Sequence, residues 1–473
     1  MAATDVVAPM YSPIAAIEMY GKSKKRVRPL IMCEYSHAMG NSNGSLSDYW
    51  KAFDNTPGLQ GGFIWEWKDH GLRQLLPNGK ERFAYGGQFG DSPHDGNFVA
   101  DGLMHADLTP HPAMREVAWV HRPVAAQLVG PKTAPSIELK NRQTFRDISW
   151  LSATYEIVVD GVVKRKGKLA LTSLGSGKTK RIKVPSIRGL SGDIRLNITW
   201  KTKRAEVWCD RGHVVAWDQL TVKSARPKKN QVSKKRFETL NIEPQLSLFR
   251  ASIDNDGFKL LPNLAWVETT TLKRWQQQGI DGDVSQLVKN QVKRVVRPDG
   301  SERFEHEIVI PKTLDDLPRI GVSFPLPEGF TEISWWGNGP HECYPDRQSS
   351  AMMGIFSGQA DELPYLVPQE YGLRTSCRWF EVSNPKTKEV IRIESDGAEL
   401  HMSALPYTTQ DLYQAADQTE LVKRPYLTMN IDIAHRGLGT ASCGPDVLPQ
   451  YRISAGKYQF AYVISRESRG ANR

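Results

Sequence analysis

Long hydrophobic runs are missing from this chain: nowhere do its 473 residues approach 18 consecutive apolar positions, which excludes a membrane-spanning helix. The first 20 residues show no basic segment followed by an apolar stretch and a small-residue cleavage site, so no secretory leader is expected. Cysteine is scarce, with Cys33, Cys209, Cys343, Cys377 and Cys443 widely scattered and never in a C-x-x-C pair. Their odd number and spacing argue against a cysteine zinc site and point to free thiols in a reducing, cytoplasmic compartment. Internal repeats and low-complexity tracts are also absent. What is present is an ordinary globular composition, 40% hydrophobic and 9% aromatic, too apolar for wholesale disorder. At roughly 100–200 residues per domain the length predicts two to four domains.

The net charge of +10 is concentrated in residues 22–28, 164–183 and 223–236, which carry 5, 8 and 7 basic residues. Such an excess can mark a nucleic-acid partner. No zinc-finger, homeodomain or RNP signature accompanies it, and a solvated surface and linker is the favoured reading, so no nucleic-acid partner is expected.

Residues 5–11, 28–34 and 61–67 are short apolar runs without alternation, as suits strands covered on both faces of a parallel sheet. Between the second and third, Leu46, Tyr49, Trp50 and Phe53 fall at helical spacing, and Pro57-Gly58 ends that helix. The segment is therefore of βα type, from a (β/α) barrel or a doubly wound sheet. From residue 124 the period changes to short alternating runs. Asp160-Gly161 marks a hairpin turn, and residues 194–200 and 213–222 read as strands, together an immunoglobulin-like β-sandwich over 124–224. The basic stretch 225–236 reads as a linker. Residues 237–473 then predict one large antiparallel β-sandwich, with strands at 292–296, 304–310, 319–324, 390–395, 427–433 and 458–464. The fold class is thus multidomain and mainly β. Three βα strands cannot close an eight-stranded barrel, so residues 1–123 are either a small layer or the end of a larger domain.

Three places could carry chemistry. Glu34 ends the apolar run 28–34, at the rim where barrel enzymes place catalytic side chains, with Tyr11, Tyr35 and His37 at hand as donors; the alternative is a strand-end surface carboxylate. Gly40-Asn41-Ser42-Asn43-Gly44 matches the serine-hydrolase elbow G-x-S-x-G, but five residues separate it from the strand, which argues against Ser42 as a nucleophile. Trp65, Trp67, His94, Asp95, Phe98 and Asp101, around residues 86–91, combine aromatic faces on which a sugar ring can stack with groups that bond its hydroxyls. Tryptophan in a β-rich chain also serves as core, and the same ambiguity covers residues 335–340.

At these motifs the chain resembles the glycoside hydrolase family 2 β-galactosidases. The resemblance is carried by Pro9-Met10-Tyr11, by residues 28–42 around Cys33-Glu34-Tyr35-Ser36-His37, and by residues 59–67 and 85–91. It continues in collinear order through 97–103 and 109–112 to Phe249-Arg250-Ala251, Asp254-Asn255-Asp256, residues 336–347 and Gly437-Leu438-Gly439. It implies that residues 1–123 are the C-terminal part of a (β/α)8 barrel and that 237–473 is the large terminal, galactose-mutarotase-like sandwich of those enzymes. It implies a retaining hydrolase of β-galactosides such as lactose, with Glu34 as nucleophile, Tyr11 bonding it, His37 on a sugar hydroxyl and Trp65 as apolar floor. Phe98, through its backbone, and Asp101 match positions that hold a monovalent cation, Na+.

Two departures from the family pattern stand out. Asp101 replaces an asparagine common among relatives, and Ala441-Ser442-Cys443-Gly444 stands where some relatives put a tryptophan, which makes Cys443 a candidate substrate contact and leaves the leaving-group preference open. The resemblance also implies that the acid/base glutamate and the Mg2+ ligands belong to sequence upstream of residue 1. A fragment, or a subunit complemented by an N-terminal half or assembled as a homo-oligomer, is the resulting expectation.

Overall fold

The computed structural model describes residues 4–170, 173–225, 233, 235–261, 270–284 and 286–468. The basic stretch 225–236 therefore falls largely outside the described residues. Strand dominates, and among the described residues no helix is long and apolar enough to cross a membrane.

The first 120 residues form a βα layer. Helix α1 (Ile14–Lys22) precedes strand β1 (Leu30–Tyr35), helix α2 (Leu46–Asn55) and strand β2 (Leu59–Ile64), and β1 and β2 pair in parallel with Leu30 opposite Leu59 and Tyr35 opposite Ile64. The expected α2 is present. Leu46, Tyr49 and Phe53 bury against Leu30, Met32, Tyr35 and Leu59, with Ile17 of α1 closing the cluster. The chain leaves α2 at Thr56, one residue before Pro57.

The run 5–11 does not form the third strand expected of it. It contributes only isolated parallel bridges, Val7 to Leu30 and Met10 to Glu34. Backbone bonds also run along β1 from Val7 N to Pro29 O, Ile31 N to Val7 O, Cys33 N to Pro9 O and Tyr11 N to Glu34 O, and Pro9, with no N–H to donate, interrupts the ladder between the two bridges. Helix α1 and the hairpin of β3 (Leu72–Leu75) and β4 (Glu81–Ala84) carry no strong local period and went unpredicted. Helix α3 (Ala113–Val120) ends the layer.

Strands between residues 124 and 223 make two antiparallel sheets. The four-stranded one runs in the order Val214–Lys223, Ile194–Thr202, Leu151–Val159, Val162–Leu169; the three-stranded one comprises Val124–Val129, Ser136–Asn141 and Thr179–Lys183. Ile137 and Leu139 from one face Ile157, Leu196, Ile198 and Trp200 from the other across a common core. At the hairpin turn Asp160 and Gly161 both take positive φ, 48° and 79°, as the twist of the flanking strands demands.

The remainder is a seven-stranded antiparallel sheet packed on a five-stranded one, around Trp275, Phe304, Trp335, Phe380 and Met429. Trp335 is thereby core rather than a sugar platform. Charged side chains are buried here in pairs: Arg319 Nη2 lies 2.7 Å from Asp432 and Arg250 Nη2 2.7 Å from Asp256, all at most 1% exposed.

The sandwich is cross-tied to the βα layer by polar contacts that fix the loops between them. Asp346 accepts from Leu438 N and Gly439 N at 2.8 Å each, while its own carbonyl accepts from Ser45 N at 2.7 Å. Arg347 Nη1 donates to Ser42 O at 2.6 Å, and Glu116 of α3 accepts from Ser349 N and Ser350 N.

Candidate active site

Glu34 sits half-buried near the C-terminal end of β1, and Tyr11 is drawn alongside by its own N–H, which donates to the Glu34 carbonyl at 2.9 Å. Tyr11 at φ 49° and Ser36 at φ 52° turn the chain on either side of that strand end. Left-handed backbone in residues other than glycine is a cost that persists where packing over-determines it, and such positions cluster at functional sites. The Tyr11 phenol donates to the Glu34 carboxylate. Burial first, and then that hydrogen bond, push the phenol far above its ordinary value, so it stays a proton donor.

His37 follows, 1% exposed, with Tyr11 edge-on at 6.0 Å and Phe98 stacked at 5.4 Å between ring centroids. Its Nδ1 lies 2.8 Å from Ser442 Oγ and its Nε2 3.4 Å from Asp101 Oδ2. Trp65, one residue past β2, is 40% exposed while its indole N–H is tied to Asp101 Oδ2 at 3.1 Å: the ring presents a face with its edge anchored. Burial alone would raise the Asp101 carboxyl, but the hydrogen bonds from His37 and Trp65 outweigh it and hold the group below its usual range. Its other oxygen, Oδ1, is buried and has no hydrogen-bond partner.

These groups open into one cavity of about 620 Å3, lined by Tyr11, Glu34, His37, Trp65, Phe98 and Cys443 together with residues 254–258, 270–271 and 274. That volume is in the range of small-ligand sites. Cys443 lies near both carboxylates. Burial, then the charges of Asp101 and Glu34, push its thiol up to about 12.

Comparison with known proteins accounts for nearly the whole chain. Residues 2–126 match the family model for the glycosyl hydrolases family 2 TIM barrel domain, 137–223 that for β-galactosidase domain 4, and 218–464 that for the β-galactosidase small chain. The chain belongs to the family 2 β-galactosidases. A β-galactosidase of Photobacterium profundum is 29% identical over 98% of this chain and 52% of its own length. One from an Arthrobacter species is 30% identical over 91% and 49%, and one from Vibrio cholerae 30% over 98% and 51%. The chain spans about half the length of the curated relatives it matches.

Within this family 2 chain the βα layer is a segment of the barrel, and all of Tyr11, Glu34, His37, Trp65, Phe98, Asp101 and Cys443 come together. Other candidates do not join them. Trp67 is 63% exposed, and His94 and Asp95 are exposed on the loop after β4, so none of the three lines the cavity. Ser42 is fully buried with its hydroxyl spent on Gly40 O and Asn43 Oδ1, which removes the serine-hydrolase reading.

Sequence reasoning missed the wall supplied by the sandwich. Asp254 binds Asn97 Nδ2 at 3.0 Å, Asn255 accepts from Ser442 N at 3.0 Å, and Phe258 meets Phe98 edge-on at 5.5 Å. Burial pushes the Asp254 carboxyl up against the opposing donors Asn97 and Gln369. The acidic turn Asp254-Asn255-Asp256-Gly257 was the one available signal, and it marked the family without marking a site.

Proposed function

We propose that this chain carries the nucleophile side of a retaining β-galactosidase site, with Glu34 attacking the anomeric carbon of a terminal β-galactose. In that reaction a Glu34 oxygen bonds the carbon as the glycosidic C–O bond breaks. A second, protonated carboxyl about 5–5.5 Å away gives its proton to the departing oxygen, and the same group then deprotonates the water that cleaves the ester. The observation that carries the reading is the convergence of a tyrosine-bonded carboxylate, a buried histidine and an edge-anchored tryptophan face in one cavity at the end of a barrel strand. Tyr11 steadies Glu34 as carboxylate and as leaving group, His37 bonds a sugar hydroxyl, and Trp65 floors the ring. Cys443, in place of an aromatic face, leaves the leaving-group side open to varied aglycones, lactose among them.

The other carboxylates lining the cavity are committed elsewhere. Asp256 is held by Arg250, Asp254 by Asn97 and Gln369, and Asp446 by Arg436 at 2.8 Å. This supports a second carboxyl, and with it the family's Mg2+ site, supplied by polypeptide outside these residues, as an N-terminal half or through a partner copy. For Na+, the buried Asp101 Oδ1, without a hydrogen-bond partner, is a fitting oxygen donor, with the Phe98 carbonyl the second that the family resemblance implies. The ion would neutralise Asp101.

The test is covalent trapping. A 2-fluoro-galactosyl fluoride needs no protonation to lose fluoride, so the chain alone should acquire one adduct on the Glu34 peptide, lost in Glu34→Gln. Nitrophenyl β-galactoside should be turned over negligibly by the chain alone and measurably once the N-terminal half of a related enzyme is added. An adduct on any other residue refutes Glu34. Glu34-dependent turnover by the chain alone refutes the division of the two carboxyls.

A further inference from the structure

Away from the cavity, Asp69, His105 and His111 converge between the loop after β2 and the loop before α3. Asp69 Oδ2 lies 3.4 Å from His111 Nε2 and 3.9 Å from His105 Nδ1, and the three atoms all fall within 4.8 Å of one another. The two imidazoles meet edge to face with centroids 4.2 Å apart. The His105 contact at 3.9 Å is too long for a hydrogen bond, and His111 Nε2 makes none to Asp69. The Asp69–His111 separation matches two ligands of one ion, because donors held about 2.0–2.1 Å from a tetrahedral Zn2+ stand about 3.3–3.5 Å from each other, and His105 reaches that distance by a shift of about half an ångström.

The surroundings leave the three atoms without another task. Asp69 is 1% exposed, and its Oδ1 is taken by Gly102 N at 2.8 Å, which aims Oδ2 at the histidines. His111 is 3% exposed, and neither ring nitrogen has a hydrogen-bond partner; the Gly102 carbonyl also faces the ring, outside hydrogen-bond geometry. A buried imidazole with both nitrogens unsatisfied costs free energy that a ligand would return. The backbone carbonyl of Pro364 faces the His105 ring, an outer-shell contact of the kind that orients metal-binding histidines. Negative charge acts on Asp69 from Asp101, Asp254 and Glu66, while Arg347, whose charge acts on His111, is paired with Glu342 at 2.8 Å. His105 and His111 also line a cavity of about 1020 Å3, which gives an ion a way in and leaves room for a fourth, water ligand.

We propose that Asp69, His105 and His111 bind a divalent transition-metal ion, zinc by preference. One carboxylate and two imidazoles form a borderline set that suits Zn2+ over the all-oxygen ions Ca2+ and Mg2+. The ion staples two loops that already run together through Asp69 N to Met104 O and Glu66 N to Asp101 O at 2.8 and 2.9 Å. Those loops also carry Trp65 and Asp101, so the staple fixes one wall of the sugar cavity from behind without touching it.

The experiment uses the full chain, stripped with a chelator, with exposed thiols alkylated so that cysteine cannot compete. Zn2+ titrated against a chromophoric chelator should fill one tight site, Co2+ should show the visible bands of a four-coordinate N/O site, and the thermal midpoint should rise with zinc. His105→Phe, at the more exposed ligand, and Asp69→Asn should each weaken zinc by about 100-fold or more and abolish the cobalt bands, with the far-ultraviolet dichroism unchanged. No stoichiometric site in the parent, or zinc affinity and cobalt spectrum unaltered in both variants, overturns the proposal.

Discussion

His37 and Ser442 stand 405 positions apart, yet their side chains meet at 2.8 Å with both residues at most 1% exposed. Because His37 Nε2 faces the Asp101 carboxylate, Nε2 carries the ring proton and Nδ1 accepts from the Ser442 hydroxyl. Ser442→Ala removes the hydroxyl alone and leaves Nδ1 a buried, unsatisfied acceptor, a loss of about 1–3 kcal/mol. The loop carrying Ser442 is otherwise held by Asn255 and by Gly437–Gly439 contacts, so the loss falls on its local opening rather than on global unfolding. Its open population should rise by about 5- to 160-fold. Cys443, next in the chain, reports this directly, since its thiol is pushed up to about 12 by burial and by Asp101 and Glu34 and alkylates slowly while the loop is closed. The assay is iodoacetamide labelling at neutral pH read by peptide mass spectrometry, with exposed Cys33 as internal reference. A Cys443 rate within about twofold of the parent, at unchanged Cys33 rate, would refute the claim that this bond holds the cavity wall.

Arg319→Met should destabilise the large sandwich by about 3–5 kcal/mol, because it strands Asp432, which three hydrogen bonds from Arg319 now satisfy; adding Asp432→Leu should restore most of the loss in urea denaturation. At Gly102 a Cβ would strike the backbone of Lys68 and Asp69, so Gly102→Ala should force the two loops apart and change the tryptophan fluorescence contributed by Trp65. His306, buried between sandwich strands, has its imidazole pushed down from 6.5 to about 4 by burial. The unfolded chain therefore binds the extra proton between those values. Stability present above pH 6.5 should be lost as pH falls through that window, by up to about 1.4 kcal/mol per pH unit, and His306→Gln should flatten the slope in pH-dependent denaturation.

The strands and turns that announce themselves by local pattern were legible. Alternation at residues 194–200, the Asp160-Gly161 turn and the helical spacing of Leu46, Tyr49 and Phe53 each have a single structural answer, because burial period and backbone conformation are properties of neighbours along the chain. The run 5–11 lies along β1 but falls short of a continuous strand, because Pro9 within it has no N–H to donate and breaks the ladder between the Val7 and Met10 bridges. Trp335 and Trp65 were indistinguishable by composition. One fills the core of the sandwich and the other stands 40% exposed with its N–H on Asp101, a difference set by what packs against each.

By itself, the sequence determined the mainly β architecture, the strand end that carries Glu34 and the collinear motifs of a family 2 β-galactosidase. Only the tertiary structure decided which distant residues complete the site. The acidic turn at 254–257, Ser442 and Cys443 reach Glu34 through the docking of the sandwich onto the βα layer, fixed by Asp346, Arg347 and Glu116. The same holds for Asp69, His105 and His111, whose spacing in the chain resembles no metal motif. Contacts between residues hundreds of positions apart leave no period in the sequence, since they depend on how finished surfaces fit and on which buried polar groups then find partners.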